Sequence, residues 1–344
     1  MRRMLTIVSA ILGVMVVVIA GAAVWNHHDV QQSTINERYS GSLTVLRTPD
    51  ERFNALTDFP YEPHYIEIHD PDLGPMRIHY LDEGPRDGHV ITLLHGQATW
   101  SYSFRKMIPL FVAKGYRVVA PDLVGFGRSD KPADWEQHTF AKHVQWLDAT
   151  LSALNIRDST GFLFDWGGYF GLRIAAEKPD VFSRLVLCTT TMPRANSALG
   201  AAWVAGWRRY ILKPKVFPIS GMVAEMVGNA IDDTTAAGLD APYPDDYFKA
   251  GPRRFPLMIP ATAMHPAATP NRAAWEKLAG WDKPSLTLVA ESLAQRGFNP
   301  KEFHDHLPGT VDQPHAIYPN TGFFLIEDVP VELAERTLMF IEQS

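Results

Sequence analysis

The chain predicts a doubly wound α/β fold: a mostly parallel sheet with a helical lid inserted late in the chain. Two observations carry the prediction. Short β-branched and apolar runs alternate with longer segments of helical period, which is the pattern of strand–helix–strand crossovers. That rhythm stops between 191 and about 281, where Trp, Pro, Ala and Gly accumulate, and then resumes. With 344 residues, 46% hydrophobic and 20% charged, the chain is long enough to bury one large core together with such a lid.

Taken in order, residues 1–28 form a leader. Arg2 and Arg3 precede an uncharged stretch over 5–25 whose polar members are Thr6 and Ser9. A run of that length can cross a bilayer. Arginines on its amino side, with Asp29 and Glu37 beyond, favour a cytoplasmic N-terminus and a body on the far side, periplasmic or extracellular. The competing reading is a cleaved signal peptide and a secreted body, because Ala20-Gly21-Ala22 offers a small-x-small site. A retained anchor is favoured, since the run exceeds the usual ~7 to 15 residue h-region. Residues 29–45 read as a polar tether.

The first part of the α/β core is expected over 46–190, with strands at 65–68, 77–81, 90–94, 117–120, 161–164 and 185–187. Helices fit at 102–114, 139–154 and 168–177. The lid follows over 191–281. The second part of the core is 282–344, with a strand at 286–289 and a helix at 331–341 whose Leu333, Leu338 and Ile341 recur on one face. A lid there would cover the carboxyl edge of the sheet, where open α/β sheets bind ligands.

Composition excludes several classes. The formal net charge is −6 with no long basic run, so no field is available for nucleic acid. A single cysteine, Cys188, permits no intrachain disulfide and reads as core. No dinucleotide or Walker-type glycine loop follows a strand, so no cofactor is implied, and His304 and His306 lack the i, i+4 spacing of paired metal ligands. His304 and His306 belong to a solvated segment, His315 begins the last strand, and His265 reads as surface.

The chemistry concentrates in Leu163-Phe164-Asp165-Trp166-Gly167-Gly168, a strand that ends in a carboxylate before a glycine pair and a helix. Strand–turn–helix geometry exposes a nucleophile at the sheet edge. The bland alternative is an acidic helix cap. His95-Gly96-Gln97 also ends a strand, so the backbone N–H of Gln97 and that of Trp166 can hold an anion that develops during reaction.

These residues lie in a sequence that resembles the haloalkane dehalogenases of the α/β-hydrolase superfamily from about Leu46 to the C-terminus. The resemblance rests on Leu46-Arg47-Thr48-Pro49-Asp50-Glu51-Arg52-Phe53, on Thr99-Trp100-Ser101-Tyr102 with Arg105-Lys106-Met107-Ile108-Pro109, and on Ala120-Pro121-Asp122-Leu123 leading into Gly125-Phe126-Gly127-Arg128-Ser129-Asp130-Lys131-Pro132. The elbow itself, Lys249-Ala250-Gly251 and Arg253-Arg254-Phe255-Pro256 extend it. It implies an α/β-hydrolase fold in which the elbow aspartate displaces halide from an sp³ carbon. Histidine-activated water then hydrolyses the alkyl ester. It implies Asp165 as nucleophile and Trp166 as one indole halide donor, with Trp207 as the second in preference to Trp203, which reads as packing. A small apolar substrate and water are the implied reactants.

The sequence also departs from the family. Gln97 stands where the nearest branch has an acidic residue. The family's Ala-Gly-His-Phe becomes Thr321-Gly322-Phe323-Phe324, putting Phe323 at the base position. Phenylalanine cannot accept a proton. Leu293 falls at the position of the orienting acid, and the alternative acid position reads Thr189-Thr190-Thr191. Glu291 is the candidate substitute acid. The leading expectation is therefore a dehalogenase-type hydrolase with impaired turnover. The others are an inactive pseudoenzyme binding a ligand or partner in the same pocket and, third, an epoxide hydrolase, for which Tyr210, Tyr243 and Tyr247 show no distinctive pairing.

Overall fold

The structure, a computed structural model, describes residues 36–40, 43–195, 198–294 and 300–344. The leader expected over 1–28 lies outside the described residues, and among those described no helix is long and apolar enough to cross a membrane. Within the expected tether of 29–45 the chain instead forms strands β1 (Asn36–Ser40) and β2 (Leu43–Arg47), an antiparallel pair extended by β7 (Lys131–Pro132).

The main sheet has eight strands. These are β3 (His64–Asp70), β4 (Gly74–Glu83), β5 (Val90–Leu94), β6 (Arg117–Pro121), β8 (Ser159–Phe164), β9 (Phe182–Cys188), β10 (Ser285–Ala290) and β11 (Ala316–Tyr318). Their spatial order is β11-β10-β9-β8-β5-β6-β4-β3. From β6 through β5 to β11 every pairing is parallel, and β4 alone runs against the others, pairing antiparallel with both β6 and β3. The chain leaves β5 for β6 on one side and returns to β8 on the other, so the strand order reverses between β5 and β8. Ligands bind at such a switch point, outside the carboxyl ends of the strands.

Helices cover both faces, as the near-continuous apolar runs of β5 and β8 require. On one face α1 (Ile108–Ala113) and α12 (Pro330–Gln343) bury Phe111, Leu333 and Phe340. On the other, α2 (Phe140–Ala153) and α3 (Trp166–Glu177) bury Leu147, Leu151 and Phe170. The expected helix over 102–114 is shorter than its apolar period. A 3-10 turn occupies Ser101–Phe104, and Pro109, which is tolerated only in a first turn, fixes the α-helical start at Ile108.

Between β9 and β10 lie α4 (Ala198–Leu212), α5 (Ile219–Met226), α6 (Asp233–Asp240), α7 (Ala250–Met258) and α8 (Ala268–Leu278), the helical insertion. The last of these packs back on the sheet layer, where Arg173 of α3 donates to Asn271 at 3.0 Å. Core side chains reach lid carbonyls at several points: Thr48 Oγ1 to Pro242 O at 2.7 Å and Trp100 Nε1 to Gly238 O at 2.9 Å. Beyond β10 come α9 (Glu291–Ala294), α10 (Lys301–His304) and α11 (Leu325–Asp328).

Candidate active site

Asp165 sits one residue beyond β8 with φ 49° and ψ −116°, a left-handed backbone disfavoured for a residue with a Cβ. Its neighbours force and hold that turn. The N–H groups of Gly168 and Tyr169 donate to its carbonyl at 2.9 and 3.2 Å, and Thr190 Oγ1 donates to the same oxygen at 2.7 Å. The approach is so close that only glycine fits around it. A Cβ on Gly96 would meet Asp165 Oδ2 at 2.4 Å, and one on Gly168 would meet Thr190 Oγ1 at 2.1 Å. Asp165 thus does not cap α3 through its side chain; the strained turn instead presents the carboxylate at the sheet edge.

The carboxylate accepts from the backbone N–H of Gln97 at 2.9 Å and from that of Trp166. Burial nevertheless outweighs these donors and raises its pKa to about 7. His95 is adjacent in sequence but turned away from this chemistry. Its Nε2 accepts from Leu123 N–H at 2.9 Å, its Nδ1 donates to Gly96 O, and burial keeps it neutral.

The carboxylate opens on a small cavity beneath the insertion. Gln97, Trp166 and Tyr169 line its floor and Trp203, Trp207, Met222, Met226 and Ile259 come from the insertion, while Phe323 and Phe324 come from the segment after β11. Among the described residues, neither Trp166 nor Trp207 gives its indole N–H to a protein acceptor, and Asp165 and Tyr169 are the only ionisable side chains of the lining. The Tyr169 phenol is pushed up by burial and, to a lesser degree, by the nearby Asp165 charge, so it keeps its proton.

The predicted site residues divide accordingly. Asp165, Trp166, Gln97, Trp207 and Phe323 come together. Phe323 packs against Phe164 and Phe324, ring centroids 6.0 and 5.3 Å away, and its N–H donates to Met226 O. Leu293 and Glu291 do not join them. Leu293 is buried in the apolar cluster under α1 and α12, and Glu291 is exposed at the start of α9. Trp203 corrects its reading as packing. It is 43% exposed, stacks on Trp207 at 6.0 Å and lines the cavity. Of the three tyrosines weighed for epoxide opening, Tyr247 is exposed, Tyr210 donates to Glu225 Oε2 and Tyr243 is buried, and none of the three lines the cavity. His304 and His315 stack on each other over Thr287, and His265 Nε2 donates to Leu257 O, all away from it.

Gln97 does more than offer its backbone. Its Nε2 donates to Pro252 O of α7 at 2.7 Å, tying the loop that holds the carboxylate to the lid. Sequence reasoning did not single out Tyr169 or Met222 and Met226. Each follows from helical spacing: Tyr169 lies one turn after Asp165, and the two methionines are four residues apart on one face of α5.

An α/β-hydrolase fold family profile matches residues 89–230. A haloalkane dehalogenase of Psychrobacter cryohalolentis is 39% identical over 302 residues, covering 88% of this chain and 99% of that protein. One of Mycolicibacterium paratuberculosis is 44% identical over 296 residues, 86% and 98% of the two chains. Among solved structures, a tetrameric haloalkane dehalogenase from Paraglaciecola agarilytica superposes with a TM-score of 0.76 at 34% identity over 86% of this chain and 98% of its own. Near-complete coverage at these identities, on a sheet whose elbow carboxylate faces a lid-covered cavity, shows that the chain belongs to the haloalkane dehalogenase family of the α/β-hydrolase fold.

Proposed function

We propose that this chain attacks halogenated alkanes through Asp165 and releases the resulting alkyl ester slowly or not at all. The attack needs a carboxylate, a dry pocket and donors for the departing halide. Asp165 supplies the first. The apolar lining with the Trp166 and Trp207 indoles supports the other two, since an indole N–H donates without bringing a charge. As the carbon–oxygen bond forms, Gln97 N–H and Trp166 N–H hold the carboxylate in place.

Hydrolysis of the ester is a different demand, because water must lose a proton as it attacks. The observation that carries the reading is the cavity lining. Among its described residues the one ionisable group besides the nucleophile is Tyr169, whose phenol is held protonated, and Phe323 occupies the place that the resemblance gives to the base. A positioned base is worth ~10² to 10⁴ in rate. Its loss slows the second half-reaction and leaves the first intact.

The test uses the full chain in detergent with excess 1-bromobutane, counting bromide per protein while following intact mass. One equivalent of bromide with a butyl adduct on Asp165 is expected. Sustained bromide release with 1-butanol would mean a working base and overturn the slow step. Reversible binding with neither bromide nor adduct, surviving Asp165→Asn, would make the cavity a binding site instead.

A further inference from the structure

A surface helix ordinarily turns charged and polar side chains to water. The outward face of α4 does not follow that rule. Along this helix and the turn after it the exposed positions include Trp203, Ala205, Arg209, Leu212, Lys213 and Val216, an apolar stripe with cations set into it. Residues 181–224 contain no Asp or Glu, in a chain whose formal net charge is −6. Among the described residues Arg209, Lys213 and Lys215 pair with no carboxylate. Arg208 is engaged inside the fold instead, donating to Pro256 O, Leu257 O and Ile259 O and so anchoring α4 on the end of α7.

Two further apolar side chains widen this face. The N–H of Phe217 donates to Asp246, which draws the exposed Tyr247 toward Val216. His265 Nε2 and Arg208 Nη2 both donate to Leu257 O, which draws Met264, 92% exposed, toward α4. Exposed apolar side chains gathered in this way mark a contact surface. The chain also enters the described fold on the insertion side. Asn36 pairs with Arg47, and the next residue, Thr48, donates its hydroxyl to Pro242 O of the insertion. Before Asn36 the sequence holds the uncharged apolar stretch over 5–25, and residues 26–35 between them span at most ~35 Å when fully extended.

We propose that the outer face of α4 seats on an anionic lipid bilayer, with Trp203, Leu212, Val216 and Met264 among the headgroups and upper acyl chains and the neighbouring cations on the lipid phosphates. Aromatic and aliphatic side chains on one face, with lysine and arginine beside them, are the composition of helices that lie in a membrane interface. The long stems of Arg209, Lys213 and Lys215 let their charges reach the phosphates while the apolar side chains go deeper. A second copy of the chain is a poorer occupant, because a two-fold pairing sets the same cations against one another. With the 5–25 stretch in the same bilayer, the short tether keeps this face close to the lipid and raises its effective concentration there. Trp203 also lines the cavity, so docking turns the cavity toward the acyl chains.

The test reconstitutes the full chain in vesicles of phosphatidylcholine and phosphatidylglycerol with an environment-sensitive fluorophore at Leu212→Cys or, as the control, at Met339→Cys. Cys188 is buried and does not compete for the label. Met339 lies toward the end of α12, whose neighbour Ser344 meets Arg184 near the start of β9, at the end of the sheet away from the insertion. Phosphatidylcholine brominated near the headgroup end of its acyl chains should quench the label at Leu212→Cys about twofold or more and leave that at Met339→Cys bright, since an interfacial helix lies ~5–10 Å into the headgroup boundary. Adding Arg209→Glu, Lys213→Glu and Lys215→Glu should reduce the quenching to the control level with the far-UV spectrum retained. Vesicles of phosphatidylcholine alone should do the same to the protein without these reversals. Equal quenching at the two labelled positions, or quenching that survives both the charge reversal and the loss of anionic lipid, would overturn the docking. A Leu212→Cys label that bromolipid leaves bright and an aqueous quencher cannot reach would also overturn it, and would give the face to a second copy or to the leader.

Discussion

At Asp165 reactivity and stability pull against each other. Burial raises its carboxyl to about 7, whereas an unfolded chain would ionise it near 3.8. The folded protein therefore binds the extra proton between these values, and stability falls as pH rises from about 4 to about 7. Above 7 the carboxylate is ionised in a site that opposes its charge. Asp165→Asn should stabilise the protein at pH 8 by on the order of a few kcal/mol and leave it nearly unchanged at pH 4, as measured by denaturant unfolding. Attack runs in the opposite sense, since only the carboxylate is nucleophilic. The single-turnover rate of bromide release should rise about tenfold per pH unit below 7 and level off above it. Thr190 acts on the same atoms from behind. Its hydroxyl holds Asp165 O at 2.7 Å, so Thr190→Val should cost ~1 kcal/mol and slow ester formation by loosening the turn.

Among the elements, the 3-10 turn before α1 and the short α11 are bound by a buried ion pair. Arg105 Nη1 and Nη2 reach Glu327 Oε1 and Oε2 at 2.8 and 3.2 Å, and Arg105 Nε reaches Asp58 at 2.7 Å. Both side chains of the Arg105–Glu327 pair are 2% exposed. Arg105→Ala strands a buried carboxylate and should cost ~3 to 5 kcal/mol in denaturant unfolding. This pair also shows what the sequence could and could not disclose. Arg105 and Glu327 are 222 residues apart, and no local pattern announces their contact. The strands β5 and β8 were legible because both faces are buried and β-branched and apolar residues dominate their carboxyl-terminal halves, and the elbow was legible because Asp165 precedes two glycines. The two-residue β7 was not, since a period of two cannot show in so few residues. The placements of Glu291 and Trp203 were not legible, for a shared reason. Their exposure depends on how α9 and α4 sit against the rest of the fold, which spacing along the chain does not encode.

Across the whole molecule, insertion and core are joined by hydrogen bonds that run from core side chains to lid carbonyls. Thr48, Arg52, Gln97 and Trp100 each supply one. A lid attached in this way should not melt by itself. Unfolding followed by tryptophan emission, with indoles in both parts, should coincide with unfolding followed by far-UV circular dichroism. Two separated transitions would show the insertion to be an independent unit.

The stacked rings at the cavity mouth have an optical consequence. Trp203, Trp207 and Tyr210 form a ladder, with centroids 6.0 and 5.3 Å apart and planes within 15° of parallel. Chromophores so aligned share their excitation, and heavy halides quench indole emission on contact. An iodide ion entering beside Trp207 would therefore dim the whole ladder. The protein carries its own indicator for the anion, and occupancy of the cavity can be read in emitted light before any bond is made or broken.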